Sequence, residues 1–473
     1  MYRLLLIALL LLQPLAALAD NPADKERAFQ DTGLVDPSAN IKDKVRVAIL
    51  PFDTPKDQPD IEQYGAGTMD SMIDGLKAVP KFIMLDRGRI DRIIKEQAFA
   101  QTGLVDAKTA VPIGKILQAQ TLVSGSLQSA GTGDSREVMV VANFVDVKTG
   151  EIQDTQKVKG QLKNIFDLQE QLVGLFVKNQ KVEVTPVQQQ RIDKVVKSTT
   201  SLTAYDYYLK GRKAYLKFTP DGYKEANSWY QKAIDTDANY ALAYTGLGET
   251  WMFWGFQKQV NGEPYQHEYQ QAFELSQKAL ALNPDLAEAH RVYAEAARFL
   301  GKPQAEYVSE ARKAMELNPN DAENWYQLWY ATGHFNDPDH EYIKKAIALN
   351  GDLLMAHASR AWQLYLVKRY DEAAGEYKEA LRINPDFAWV HGNLGLNLAA
   401  QKQWTDAIAQ YKEAIRLDPN FAWPHFNLST AYWTTGHLPE TVHELEETLR
   451  IDPKNEQALK WLPQAKAALQ AGH

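Results

Sequence analysis

The chain contains no cysteine. That excludes disulfides, thiolate zinc sites, cysteine nucleophiles and cysteine-linked lipid anchors. It also lacks a basic run, and its formal net charge is −8, so it is not a general binder of nucleic acid or anionic membrane, both of which call for a basic surface. No nucleophile, base and orienting group stand at catalytic spacing, and no paired carboxylates do either, so no catalytic residue, cofactor site or metal site is assigned. A long apolar run occurs once, at Leu4–Leu12. It follows Met1-Tyr2-Arg3 and precedes Ala17-Leu18-Ala19, the order of a secretory signal cleaved before Asp20. The alternative, a membrane anchor, needs about 20 apolar residues, and Gln13-Pro14 interrupts this run early. Cleavage after Ala19 removes one arginine, taking the charge from −8 to −9. The expectation is an exported, periplasmic protein, free or associated with the outer membrane, with no later span.

What is present is length and period. At 473 residues, 45% of them apolar and 24% charged, the chain can bury two or three domain cores. Ile383-Asn384-Pro385, Leu417-Asp418-Pro419 and Ile451-Asp452-Pro453 place prolines 34 apart (419 − 385 and 453 − 419), the sign of stacked helical hairpins. Leu394, Gly395, Ala407, Tyr411 and Ala414 precede Pro419. Small residues let paired helices touch, the aromatic fills the gap, and proline stops the second helix.

This pattern resembles the tetratricopeptide repeat. It recurs with Ala373, Tyr377 and Ala380, with the prolines Pro319 and Pro284, and with Ala226, Tyr230 and Ala233. Roughly six or seven repeats are expected over 203–453, with an insertion between Trp251 and Tyr269 and a capping helix and tail at 454–473.

Ahead of the repeats, 44–182 reads as alternating strands and helices. Strands are expected at Val45–Phe52, Phe82–Leu85, Thr121–Leu127, Arg136–Val147 and Glu151–Val158, the last two joined through Lys148-Thr149-Gly150 as an antiparallel hairpin. Helices are expected at Ile61–Ala78, Gly88–Phe99, Ala107–Leu117 and Leu162–Val177. Residues 20–43 read as a leader and 183–202 as a linker. The fold class is α+β multidomain: an N-terminal α/β sandwich, then an all-α superhelix of repeats.

The runs Val47–Phe52, Leu85-Asp86-Arg87, Ile113–Leu117, Val123–Ser126 and Asp146–Glu151 resemble the CsgG family and the related TolB-like N-terminal domain. The resemblance implies a role in cell-envelope assembly or secretion. The family's curli pore is lipid-anchored and inserts two long hairpins into the outer membrane. Here Ser129–Ser135 replaces the first hairpin, short of the roughly 9–11 residues per spanning strand, and nothing is inserted near 160–164 for the second. A soluble domain without the pore is expected.

Several candidate sites have ordinary alternatives. Gly131-Thr132-Gly133 lacks the following helix of a phosphate loop and reads as a hairpin turn. His357, His391 and His425 occupy one position in successive repeats, about 8–10 Å apart, which is too far for a shared metal and points to repeat packing. Glu444, Glu446 and Glu447 read as a solvated helix face. Trp362, Trp389, Trp423, Phe426 and Trp433 fall on the first-helix side that, by the resemblance, lines the concave groove where peptides or helices bind. Packing between repeats is their alternative role. Trp251, Trp254 and Phe256 form either a second contact patch or a small core. Thr32-Gly33-Leu34-Val35-Asp36 repeats at 102–106, as a chance duplication or a leader segment that mimics the second copy. The function expected is a non-enzymatic periplasmic adaptor that binds protein partners; the alternative is a sensor of glycans or small molecules.

Overall fold

The computed structural model describes residues 43–58, 61–85, 107–133, 135–217, 219–260, 264–334 and 337–471, together with 87, 90, 93 and 94. The expected signal, nearly all of the leader and both copies of the Thr-Gly-Leu-Val-Asp motif lie outside them.

Strands β1 (Val45–Ile49), β2 (Phe82–Met84), β3 (Thr121–Ala130), β4 (Glu137–Asp146) and β5 (Ile152–Gln161) form one sheet in the order β2-β1-β3-β4-β5. β1 runs parallel to β2 and β3, and the last three strands form an antiparallel meander. β4 is a clean period-two strand: Val138, Val140, Ala142 and Phe144 point into the core. They meet helix α3 (Ile165–Asn179), where Phe144 and Phe176 stand edge to face at 5.1 Å. The opposite face buries Ala48, Leu50, Ile90, Ile113, Leu117 and Leu122, Ile113 coming from α2 (Ala107–Ile116). Gly125 is obligatory in β3, because a Cβ there would sit 2.2 Å from the Val141 carbonyl oxygen and 2.5 Å from the Phe52 ring. The Gly131–Gly133 stretch is the turn between β3 and β4, and a strand follows it, not a helix.

Helix α1 (Glu62–Lys77) is buried along most of its length, including Gly67, Thr68 and Asp70. The segment expected as a linker holds helix α4 (Pro186–Val196), started by a capping box in which Thr185 and Gln188 satisfy each other's backbone. Only Ile192 and Val196 are buried in it, too few to give a readable period. Val196 reaches the α1 backbone beside Gly75.

Paired helices follow. The chain divides into two compact bodies, one ending at Thr332 and one beginning at Gly333. The first contains α5 (Leu202–Tyr215), α6 (Pro220–Thr236), α7 (Ala241–Val260), α8 (Gln266–Leu282), α9 (Ala287–Phe299), α10 (Gln304–Leu317) and α11 (Ala322–Thr332). The expected insertion is absorbed by α7, 20 residues long against 13 in α9, and Phe256 is fully buried within it. The second contains α12 (Glu341–Leu349), α13 (Leu354–Leu366), α14 (Tyr370–Ile383), α15 (Ala388–Ala400), α16 (Trp404–Leu417), α17 (Ala422–Thr434), α18 (Leu438–Ile451) and the capping helix α19 (Glu456–Ala471). The repeat signature has a direct cause: a Cβ on Gly395 would fall 2.8 Å from the Tyr411 ring, so glycine lets α15 and α16 close over the buried tyrosine.

Candidate partner-binding faces of the repeats

Five successive helical pairs, from α9 onward, carry a hinge pin at one position. Six residues after the loop proline, His290, His391 and His425 turn Nε2 to the carbonyls of Pro284, Pro385 and Pro419, at 2.9, 2.9 and 3.3 Å. His357 does the same to Gly351 at 3.0 Å, and Trp325 replaces histidine by donating Nε1–H to the Pro319 carbonyl at 2.8 Å. On the other side of the ring, Nδ1 faces Glu310, Glu376, Gln410 or Glu444 of the second helix at 2.5–2.7 Å. The histidine row therefore ties each loop to its own hairpin. Burial would raise the Glu376 carboxyl, but His357 and Arg360 outweigh it and hold the group below its ordinary value. Among the described residues no cluster of three or more His, Asp or Glu side chains could hold a metal. His290 escaped the sequence reading because its repeat has a different spacing, although its offset from Pro284 was visible.

In the first body, α1 lies on the first helices α5 and α9. A Cβ on Gly67 of α1 would lie 2.7 Å from both Leu209 Cδ1 and the Tyr205 hydroxyl of α5, so the two helices touch at a glycine. Ser71 Oγ meets the Tyr205 hydroxyl at 3.3 Å and Lys213 Nζ reaches Glu62 at 3.0 Å. At the other end of α1, Lys77 Nζ sits 2.9 Å from Asp74 and 2.7 Å from Glu288 of α9. Arg291 of α9 then spans to Glu249 of α7 at 3.2 Å and to Glu323 of α11 at 2.9 Å. Burial would lower Lys77, yet Asp74 and Glu288 hold its ammonium well above the ordinary lysine range. Glu288, which burial alone would raise, is pulled to about 2 by Lys77 and Arg291. Asn320, just before α11, donates Nδ2–H to the carbonyls of Pro80 and Phe82 at 2.8 and 2.7 Å, and its Oδ1 accepts from Lys44. Helix α1 is thus a resident ligand of this face, bound by a glycine seat and an ionic latch.

In the second body the corresponding face has a different chemistry. Counting 4, 7, 11 and 14 residues beyond the loop proline gives Glu288, Arg291, Glu295 and Arg298 on α9, but Trp423, Phe426, Thr430 and Trp433 on α17. Those steps trace one helix face. The five aromatic residues singled out from the sequence do lie on α13, α15 and α17, with unequal exposure. Trp389 is only 3% exposed and its Nε1 is buried without a hydrogen-bond partner, which makes it a packing residue and corrects its reading as a contact residue. Period alone cannot separate it from Trp423, its equivalent one repeat on. Trp423 is half-buried and lies against Gly392, where a Cβ would come within 2.6 Å of its ring. Trp362 stacks on Tyr365 at 5.4 Å, Phe426 leans on Trp461 of the capping helix at 6.1 Å, and Trp433 stands 39% exposed.

Residues 38–200 match the family described as the curli production assembly/transport component CsgG, a match that takes in α4. Residues 363–401 and 395–436 match the TPR repeat. A putative adenylate cyclase 3 of Rhizobium meliloti (strain 1021) is 23% identical over 224 residues, 47% of this chain and 35% of that protein. The chain therefore spans about a third of that relative's length. Among solved structures, the APC/C hetero-tetramer Cut9-Hcn1 aligns over 64% of this chain and 63% of its own at 16% identity with a TM-score of 0.42. The type IV pilus biogenesis factor PilW aligns over 46% and 98% at 18% identity with a TM-score of 0.38. The chain is a CsgG-like N-terminal domain fused to tetratricopeptide repeats.

Proposed function

We propose that this protein is a non-enzymatic adaptor of the periplasm, which holds its CsgG-like domain on the first repeats and recruits a protein partner with the first-helix face of the second body. The observation that carries this reading is the contrast in occupancy. In the first body α1 packs on α5 and pairs with α9, whereas α13 and α17 offer half-buried and exposed aromatics. Interface anchors are typically such aromatics. The match to CsgG supports a place in envelope assembly or secretion, by analogy of fold. The N-terminal run Leu4–Leu12 with Ala17-Leu18-Ala19 supports export, and among the described residues no helix is long and apolar enough to cross a membrane.

The test is crosslinking in intact cells followed by capture, comparing the native chain with a Trp423→Ala plus Trp433→Ala variant whose fold is verified by circular dichroism. A defined envelope protein captured by the first and lost from the second supports the adaptor. The same protein captured equally by both moves the contact to the CsgG-like domain. Cyclic-nucleotide synthesis by the purified chain would overturn the non-enzymatic reading.

A further inference from the structure

We infer that the open edge of β5, in the CsgG-like domain, takes an added β-strand from a partner protein: an extended acidic segment in which carboxylates alternate with apolar residues. The backbone carries the first step. The sheet ends on β2 and β5, and β2 is three residues long where β5 has ten. In an antiparallel pair, successive residues alternate between bonding the neighbouring strand and facing away from it. The Leu162 amide donates to the Arg136 carbonyl at 2.9 Å, and the register continues as Gly160 with Val138, Val158 with Val140 and Gln156 with Ala142. The even-numbered residues therefore spend their amides and carbonyls on β4, and those of Thr155, Lys157, Lys159 and Gln161 point outward. The Thr155 amide is already taken, donating to Asp154 Oδ1 at 2.9 Å. Among the described residues, no backbone group pairs with the outward amides of Lys157, Lys159 and Gln161. Such a row is matched by another extended chain, because a helix has spent its own backbone groups internally.

The side chains of the same residues choose the strand. Lys157 and Lys159 are exposed and share one face of the sheet. Asp154, the one carboxylate of β5, belongs to the other face and is engaged, accepting also from Gln156 Nε2 at 2.6 Å. Lysines on an edge keep off neutral and basic strands, and they favour carboxylates directly opposite. They also disfavour a second copy of this chain. In a continuous antiparallel sheet odd-numbered residues of one β5 would oppose odd-numbered residues of the other, so each lysine would meet glutamine, threonine or lysine and never a carboxylate.

The opposite face sets the alternate residues. Leu168, Leu175 and Asn179 lie along one side of α3. Leu168 packs where Gly160 leaves room, a Cβ there standing 3.2 Å from its Cδ2, and Asn179 Nδ2 meets Asp154 Oδ2 at 3.5 Å. Leu175 sits between these contacts, over the middle of β5, and is half-buried. One residue away, Gly174 would place a Cβ in open space. A strand added to β5 therefore meets lysines on one face and the apolar flank of α3 on the other, which is the alternation inferred for it.

The experiment uses the full chain and fluorescein-labelled peptides of about ten residues: valine alternating with glutamate, valine alternating with lysine, and the glutamate peptide with a central proline. Anisotropy is read with the native chain, Lys157→Ala, Lys157→Pro, and Lys157→Glu plus Lys159→Glu, their folds checked by thermal melts. Proline at 157 removes an outward N–H and spares the ladder to β4, so it separates backbone pairing from loss of charge. The expected result is saturable binding of the uninterrupted glutamate peptide alone, weakened at least about tenfold more by Lys157→Pro than by Lys157→Ala, a further ~1.4 kcal/mol. The double glutamate variant should exchange the preference and take the lysine peptide. Binding should also slow hydrogen exchange at the amides of Lys157, Lys159 and Gln161 in the native chain, a readout that needs no variant to fold. Equal binding of the glutamate and lysine peptides, binding of the proline-interrupted peptide, or equal affinity in Lys157→Pro and Lys157→Ala overturns the inference. So does a native dimer in sedimentation that Lys157→Pro dissolves, which would seat a second copy on this edge. None of these outcomes depends on whether Trp423→Ala plus Trp433→Ala loses its cellular crosslink.

Discussion

Helices α9 and α17 belong to one repeat architecture yet present opposite chemistry, and the difference lies in four side chains on each. On α9, Glu288, Arg291, Glu295 and Arg298 face inward, two of them locked into a network that grips α1. On α17 the same offsets carry Trp423, Phe426, Thr430 and Trp433. Charge on the first set is affordable because a permanent neighbour supplies counter-charge and excludes water; without that neighbour it would remain hydrated. Aromatic residues on the second set leave apolar surface half-buried or exposed. Helical repeats tolerate both because their own stability resides elsewhere, in the tyrosines and small residues between paired helices, such as Tyr377 and Tyr411.

The largest effect should come from attacking that shared scaffold on one side only. Tyr411→Ala opens a cavity under Gly395 and should destabilise the second body by about 3–5 kcal/mol, lowering its urea midpoint while hydrogen exchange of α1 and α5 stays unchanged. Lys77→Met removes the centre of the latch and leaves Glu288 without its partner. The loss should fall below the ~3–5 kcal/mol of a fully buried pair, because Lys77 retains 27% side-chain exposure. It should appear as faster exchange along α1, and equal loosening of α15 and α17 would refute the division of labour. Gly67→Val forces α1 away from Leu209 and Tyr205 and should cost about 1–3 kcal/mol, read by chemical denaturation of the first body.

A pH titration separates the bodies further. His334 and His340 stack at 3.9 Å in the second body. Burial, with the neighbouring His334 charge, pushes His340 down to about 4, and burial lowers His334 as well. Both side chains ordinarily titrate near 6.5, so between about 4 and 6.5 the unfolded state binds more protons. The contribution is complete above pH 6.5 and is lost as pH falls. The melting temperature of the second body should therefore drop between pH 7 and 5, and His340→Asn should flatten the drop. The smallest effect on stability belongs to Trp433→Ala, within about 0.5 kcal/mol, even though partner capture should fall sharply in the crosslinking assay.

Much of this was readable from the residues alone. The 34-residue spacing located the second-body pairs, and alternation in Val138–Phe144 located a sheet strand, because both are local periodicities. Three features were not. The docking of α1 joins residues near 67 to residues near 205 and 288, a long-range pairing that leaves no local pattern. Helix α4 reads as linker in the sequence because it buries only two residues, Ile192 and Val196. Trp389 and Trp423 share a repeat position but not an exposure, since that depends on what each neighbouring helix presents: Gly392 opposite Trp423 opens room for a ring. The charge contrast between α9 and α17 was present in the sequence all along, legible once offsets were counted from the loop prolines.

Asn320 carries one more implication. Strand β2 pairs with β1 through the carbonyl of Lys81 and the amide of Leu85, so the carbonyls of Pro80 and Phe82 point away from the sheet, toward the side where another strand could add. Asn320 takes both. An edge strand whose first outward acceptor is already taken is a poorer template for an added strand, so one asparagine, lent by a loop more than 200 residues downstream (320 − 82 = 238), covers the start of the sheet's edge.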